Sequence, residues 1–340
     1  MTAPRVETWQ GRLAALLMAA MFMPLNTPAI GGWRAPPPDA GAPVSESRTQ
    51  MKTDSRPVPP PMPRRAIIKP DPEPPGKRLE LNDGAYKFLL FILPDYLPPA
   101  SGEVELTVHF HAVPWFVIDE HLRRGLKGPL LIAALGEGSA MYARPFAEDG
   151  DRFDRLLRAA AGAIGEATGR AGLTIGPIDV TSFSAGYGAV RELAKQDRYW
   201  KKFRRVILSD SLYAGWDPAT TRPGAASRPA TEHIEPWRAI VQSAARGERT
   251  FVLTHSQVPT RYANTEACGL ALIELAGAQA VPVNPGDLPA TLDPEYPLVR
   301  RADLGGFHVW TYAGQDAGAH LTHVRHMADV WKALDASGAK

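Results

Sequence analysis

Short β-rich runs alternate with helical stretches along most of this chain, and that alternation limits its fold more than any other feature. The predicted strands are Ala85 to Leu93, Val104 to Phe110, Leu130 to Leu135, Pro177 to Phe183, Val206 to Ser209, Thr250 to Thr254 and His308 to Tyr312. Helical patterns cover Asp151 to Gly165, Gly186 to Gln196, Glu235 to Arg246, Asn264 to Gly277 and Leu321 to Leu334, with Asp151 in the position of an N-cap. Strands joined through helices of this length run parallel, because the connection has to cross the sheet and return. The last strands are short and apolar, as strands covered on both faces should be. The expected fold class is α/β: a mostly parallel central sheet covered by helices on both faces. Such sheets carry their reactive groups at the carboxyl ends of strands.

The start of the chain does not share this alternation. Arg5 and Arg12 accompany a short apolar run, Leu13 to Met23, which Pro24 ends, and Thr27-Pro28-Ala29 then offers a small residue for cleavage. This is the pattern of a signal peptide over residues 1–29. The apolar run is well short of the roughly 20 residues a membrane span needs. Export, to the periplasm or beyond, is the expectation, with no stable membrane span after cleavage. Residues 30–77 are Pro-rich, densest at Pro36-Pro37-Pro38 and Pro59-Pro60-Pro61, and are expected to form an extended linker. A single domain over 78–340 follows. The net charge is only +2 and the 38 Lys and Arg residues are scattered, so no nucleic-acid surface is expected. The one cysteine, Cys268, excludes an internal disulfide and a Cys-x-x-Cys metal site.

The strongest local signal is Asp179-Val180-Thr181-Ser182-Phe183-Ser184-Ala185-Gly186-Tyr187-Gly188. A β-branched run leads into small-x-Ser-x-Gly, and a helical pattern follows at once. A serine on so tight a turn has its hydroxyl pushed out above the sheet, and the helix behind it aims its amides at the same place, favouring an anionic intermediate. Here the sequence resembles the α/β-hydrolase superfamily and its nucleophile elbow. It departs from that pattern in one position, where Ser182 replaces the first glycine.

The resemblance implies an enzyme, a serine hydrolase of the carboxylic ester hydrolase type, working through a Ser-His-Asp acyl-enzyme. The superfamily's chain order is serine, acid, histidine. Ser184 is then the nucleophile, and Asp210, directly after the strand Val206 to Ser209, the acid. Many members place the acid one strand later, but here that strand ends in Thr254-His255-Ser256. The base should lie between the last strand and the final helix. His320 is the first choice and His323 the second, with His326 expected on the helix surface; Asp316 is an alternative acid. By the same resemblance, the backbone amides of Ala185 and of Ala112 or Val113 hold the oxyanion, though Ala112 and Val113 stand where lipases carry glycines. His111, Trp115, Tyr142, Arg144 and Tyr213 are expected to line the pocket, with Gly136 to Phe146 read as a loop. The implied partner is a small-molecule or polymer ester, and no cofactor or metal is implied. Two rivals remain at this stage: a metal-dependent hydrolase using His109, His111, His255, His320, His323 and Asp210, and a non-catalytic binding protein on the same fold.

Overall fold

The first two strands form a hairpin that closes one edge of the sheet. β1 (Lys77–Asp83) and β2 (Tyr86–Ile92) pair antiparallel across Gly84-Ala85, with Gly84 at φ +65°, a conformation glycine adopts without steric cost. β1 begins one residue ahead of the expected domain start. The computed structural model describes residues 68–220, 227–283 and 293–336, all within one unit, Arg64–Lys340. The expected leader and most of the expected linker lie outside the described residues.

Beyond the hairpin come β3 (Glu103–Phe110), β4 (Leu130–Ala133), β5 (Thr174–Phe183), β6 (Phe203–Ser209), β7 (Thr250–His255), β8 (Ala280–Pro282), β9 (Leu298–Leu304) and β10 (Phe307–Tyr312). They build one ten-stranded sheet in the order β1-β2-β4-β3-β5-β6-β7-β10-β9-β8. The centre, from β4 to β10, is parallel throughout. Both flanks are antiparallel: β2 against β4 and β1 on one side, β9 against β10 and β8 on the other.

Burial alternates with the period of two that a sheet covered on both faces requires. Val206, Leu208, Phe251 and Leu253 point into the larger core, against the helices Arg152–Thr168, Tyr187–Ala194, Arg238–Ala245 and Thr265–Ala276. Their neighbours Ile207 and Val252 point the other way, to Trp331 and Leu334 of the helix Met327–Ala336. Each fully buried Val, Leu, Ile or Phe adds about 1.5–3 kcal/mol to this packing.

Several local expectations need correction. Gly136 to Phe146 is not a loop throughout: Ser139–Glu148 is a helix, formed despite Pro145, which a helical period alone would have discouraged. Asp151 stands at the N-cap of Arg152–Thr168 but its side chain caps nothing. The stretch expected as one helix from Glu235 breaks at Pro236 into the short turn Glu235–Trp237 and the helix Arg238–Ala245. The last helix is two, Ala317–Arg325 and Met327–Ala336, divided at His326 with φ −119°. The strands β1, β8 and β9 and the helix Pro114–Arg123 were not anticipated. β1 and β9 carry charged residues and β8 is only three residues long, and all three lie towards the sheet's edges, where continuous apolar character is not required.

Candidate active site

β5 ends at Phe183, and Ser184 follows at φ +48° in a tight turn, Ser184–Gly186, that passes straight into the helix Tyr187–Ala194. A non-glycine residue in the left-handed region is uncommon and is held there by its surroundings. The small residues of the motif are explained by close approach. A Cβ on Gly186 would lie 2.2 Å from the carbonyl oxygen of Phe110, and one on Gly188 would lie 2.3 Å from that of Ser139. The elbow therefore sits directly against the end of β3.

Ser182, the departure from the motif, has a structural use. Its buried hydroxyl meets that of Ser211 at 2.8 Å, and Ser211 Oγ donates to the carbonyl oxygen of Ser184 at 2.9 Å. A glycine at 182 would leave Ser211 with the second bond only.

Asp210 leaves β6 as Ser184 leaves β5, at positive φ (+43°), which aspartate tolerates better than most residues. Its fully buried carboxylate meets three side chains. His320 Nδ1 donates to Oδ2 at 2.7 Å, Ser256 Oγ donates to the same oxygen at 2.5 Å, and Thr265 Oγ1 donates to Oδ1. Burial by itself raises the carboxyl pKa, but His320, His323 and the Ser256 hydroxyl outweigh it and hold the group below the usual carboxylate range. Thr265 is the first residue of the helix Thr265–Ala276, so the positive end of that helix faces the carboxylate as well.

The pairing selects the tautomer of the neutral His320 ring. With Nδ1–H given to Asp210, the other ring nitrogen, Nε2, is the acceptor; it is buried and has no hydrogen-bond partner. The His320 ring stacks on Phe183, the residue before Ser184, with centroids 4.7 Å apart. His111 stacks on the Phe183 ring with centroids 5.9 Å apart and meets the Tyr142 hydroxyl through Nδ1 at 2.8 Å. Ser184, Asp210 and His111 thus gather at the carboxyl ends of β5, β6 and β3, and the helix Ala317–Arg325 brings His320 among them.

His323 is not on Asp210: its Nδ1 pairs with Thr254 Oγ1 at 2.9 Å, and burial pushes its pKa down to about 3. His326, expected on the helix surface, is buried and bound to Asp329, because the break between the last two helices turns it inward. Asp316 caps its helix through the Ala319 amide and also accepts from the Tyr296 hydroxyl. Both ring nitrogens of His109 and of His255 have hydrogen-bond partners. Among the described residues no group of three or more His, Cys, Asp or Glu stands close enough to hold a metal ion.

Ala112, at φ +121°, and Val113, the N-cap of Pro114–Arg123, form the turn after β3. Trp115 lies half-buried in the first turn of that helix. Tyr142 is almost wholly buried and donates to the carbonyl oxygen of Gly136. Tyr213 lies between Tyr187 and Tyr262, with centroids 5.6 and 5.5 Å away. Arg144 is not brought to the site; it is exposed and pairs with Glu148 one helical turn on. Sequence reasoning missed Ser211, Ser256 and Thr265. The last two reach Asp210 across 46 and 55 residues of chain, a separation over which no local pattern gives a signal.

No known family model matches the sequence, and no curated protein does. Among solved structures, an uncharacterised protein from Capnocytophaga ochracea is 11% identical with a TM-score of 0.45, over 75% of this chain and 63% of that one. This chain therefore spans less than two thirds of that protein's length. A feruloyl esterase module from Clostridium thermocellum is 10% identical with a TM-score of 0.43, over 80% of this chain and 92% of that one. A siderophore hydrolase from Aspergillus nidulans is 14% identical with a TM-score of 0.40, over 79% and 97%. The parallel sheet covered on both faces, and the strand-turn-helix elbow at its centre carrying a strained serine, give this chain an α/β-hydrolase fold.

Proposed function

We propose that the protein is an exported serine hydrolase that cleaves carboxylic esters through an acyl-enzyme on Ser184. The reading is carried by the Asp210–His320 pair, whose free Nε2 belongs to a ring stacked on the residue before Ser184. In this reading His320 Nε2 takes the Ser184 proton as Oγ attacks the ester carbonyl carbon. The C–O bond to the alcohol then breaks, and the same proton passes to the departing oxygen. Water, deprotonated by His320, next attacks the acyl-enzyme and releases the carboxylic acid and free Ser184. Asp210 holds the tautomer and offsets the positive charge on the imidazole. The amides of Ala185 and of Ala112 or Val113 receive the oxyanion.

The tyrosine wall of Tyr187, Tyr213 and half-exposed Tyr262 favours an ester with an apolar or aromatic group. In this reading His111, stacked on Phe183 beside the elbow, and Trp115 also line the pocket. Export rests on the apolar run Leu13 to Met23 and its flanks.

The test is labelling with a fluorophosphonate followed by peptide mass spectrometry, beside turnover of a p-nitrophenyl ester. Label on Ser184, with label and turnover both lost in Ser184→Ala, is the expected result. Undiminished turnover in folded Ser184→Ala would sink the reading.

A further inference from the structure

His109 lies two residues before the turn that carries Ala112, is fully buried, and takes no part in the chemistry above. Its two ring nitrogens join the two halves of the site. Nε2 meets the carbonyl oxygen of His111, and Nδ1 meets Thr181 Oγ1 at 2.7 Å. Thr181 stands on β5, three residues before Ser184. A carbonyl can only accept, so Nε2 carries the ring proton and Nδ1 accepts from the Thr181 hydroxyl, which lies 2.7 Å from it and 3.3 Å from the competing Val108 carbonyl oxygen. Burial lowers the His109 pKa to about 3, which leaves the ring neutral and this arrangement intact at ordinary pH.

The carbonyl of His111 and the amide N–H of Ala112 belong to one peptide group, and in a trans peptide they point in opposite directions. The backbone on either side of that peptide is strained, with His111 at φ +69° and Ala112 at φ +121°. The second value is one that L residues rarely adopt and glycine adopts freely. An unsupported alanine there would relax, and the peptide would turn.

On the reading of the site proposed above, we infer that His109 is a positioning residue that locks the His111–Ala112 peptide. It draws the carbonyl down towards β3 and so aims the Ala112 amide at the oxyanion, against Ser184. Two contacts make the lock specific to the elbow: Thr181 anchors His109 from β5, and Gly186 touches the Phe110 carbonyl. The lock also accounts for alanine in a turn where lipases carry glycine: a side-chain hydrogen bond supplies what glycine's freedom supplies there.

The test combines His109→Leu, which fills the volume without a donor, with Ala112→Gly. Leucine is preferred to alanine because His109 and Thr181 line a cavity of about 20 Å³, room for a water already, and truncation would let that water reach the His111 carbonyl and replace the bond. His109→Leu should lower kcat on a p-nitrophenyl ester by about 10²-fold, the cost of losing one oxyanion donor, with KM little changed. Adding Ala112→Gly should recover at least about tenfold of that loss, because glycine holds φ +121° unaided; a purely structural role for His109 predicts no such recovery. Thr181→Val, which keeps the shape and removes the hydroxyl, tests the lock even if His109→Leu does not fold. It removes the anchor on Nδ1 from β5, leaves the ring held through Nε2 alone, and should lower kcat by about tenfold. Wild-type kcat in Thr181→Val, or in folded His109→Leu, overturns the inference, as does a His109→Leu loss that Ala112→Gly leaves unrelieved. A wild type that takes no fluorophosphonate on Ser184 overturns the serine-hydrolase reading and this inference with it. Label on Ser184 together with unchanged variants overturns this inference alone.

Discussion

At the scale of single residues, the site depends on how closely backbones approach. Gly186 is at φ −61°, which any residue adopts, so its requirement is for space and not for conformational freedom. Gly186→Ala places a methyl group 2.2 Å from the Phe110 carbonyl, and either the elbow or the end of β3 has to move. The expected cost is about 1–3 kcal/mol of stability, typical of overpacking. Labelling of Ser184 should slow by more than the stability loss explains, because Phe110 leads into the turn that carries Ala112. Urea unfolding and the labelling rate measure the two effects; unaltered values for both would mean that elbow and strand are not in contact in solution. This requirement was legible in the sequence as small-x-Ser-x-Gly. The use of Ser182 was not: its hydroxyl partner, Ser211, comes from the next strand's exit, and a motif records size but not the partner of a hydrogen bond.

At the scale of elements, the carboxylate of Asp210 is held by three segments distant in sequence: the end of β7 through Ser256, the start of the helix Thr265–Ala276 through Thr265, and the helix Ala317–Arg325 through His320. That helix is itself fixed by Asn264, whose side chain accepts from the Ala267 amide at 3.0 Å and donates to the Val258 carbonyl at 2.9 Å. Asn264→Ala should cost about 1 kcal/mol of stability, the usual value of an N-cap. It should also lower kcat, because the fraying first turn carries Thr265 away from Asp210. A stability loss with unchanged kcat would show that the helix end does not support the acid. The parallel centre of the sheet was legible from alternation, since strands buried on both faces must be apolar throughout. The antiparallel flanks were not, because β8 and β9 are short or polar and owe their pairing to neighbours distant in sequence. For the same reason His320 was identifiable as a residue between the last strand and the final helix, while the hydroxyls around Asp210 were not.

At the scale of the whole molecule, the described structure buries several histidines in neutral form, and this gives stability a pH dependence. His109, His121 and His323 are each almost wholly buried, and desolvation lowers their pKa values to about 3, 4 and 3, from an ordinary value of 6.5. The folded protein resists protons that the unfolded chain accepts. Below pH 6.5 the unfolded state therefore gains, by up to about 1.4 kcal/mol per pH unit for each histidine, until the folded pKa is reached. Asp210 works in the same direction at lower pH. Its folded pKa is depressed, so the stability it adds is present above about 3.8, the ordinary value, and is lost as pH falls below that. Acid destabilisation should thus begin near pH 6.5, well above the range in which carboxylates titrate, and continue below pH 4, where Asp210 takes over as the histidines reach their folded pKa values. Tm measured from pH 8 to pH 3 tests this. A Tm that stays level from pH 7 to pH 4.5 would mean that these histidines are reached by water or carry charge in the folded state. The lock proposed at His109 needs that ring neutral, so the same titration examines a premise of the oxyanion turn without any measurement of activity.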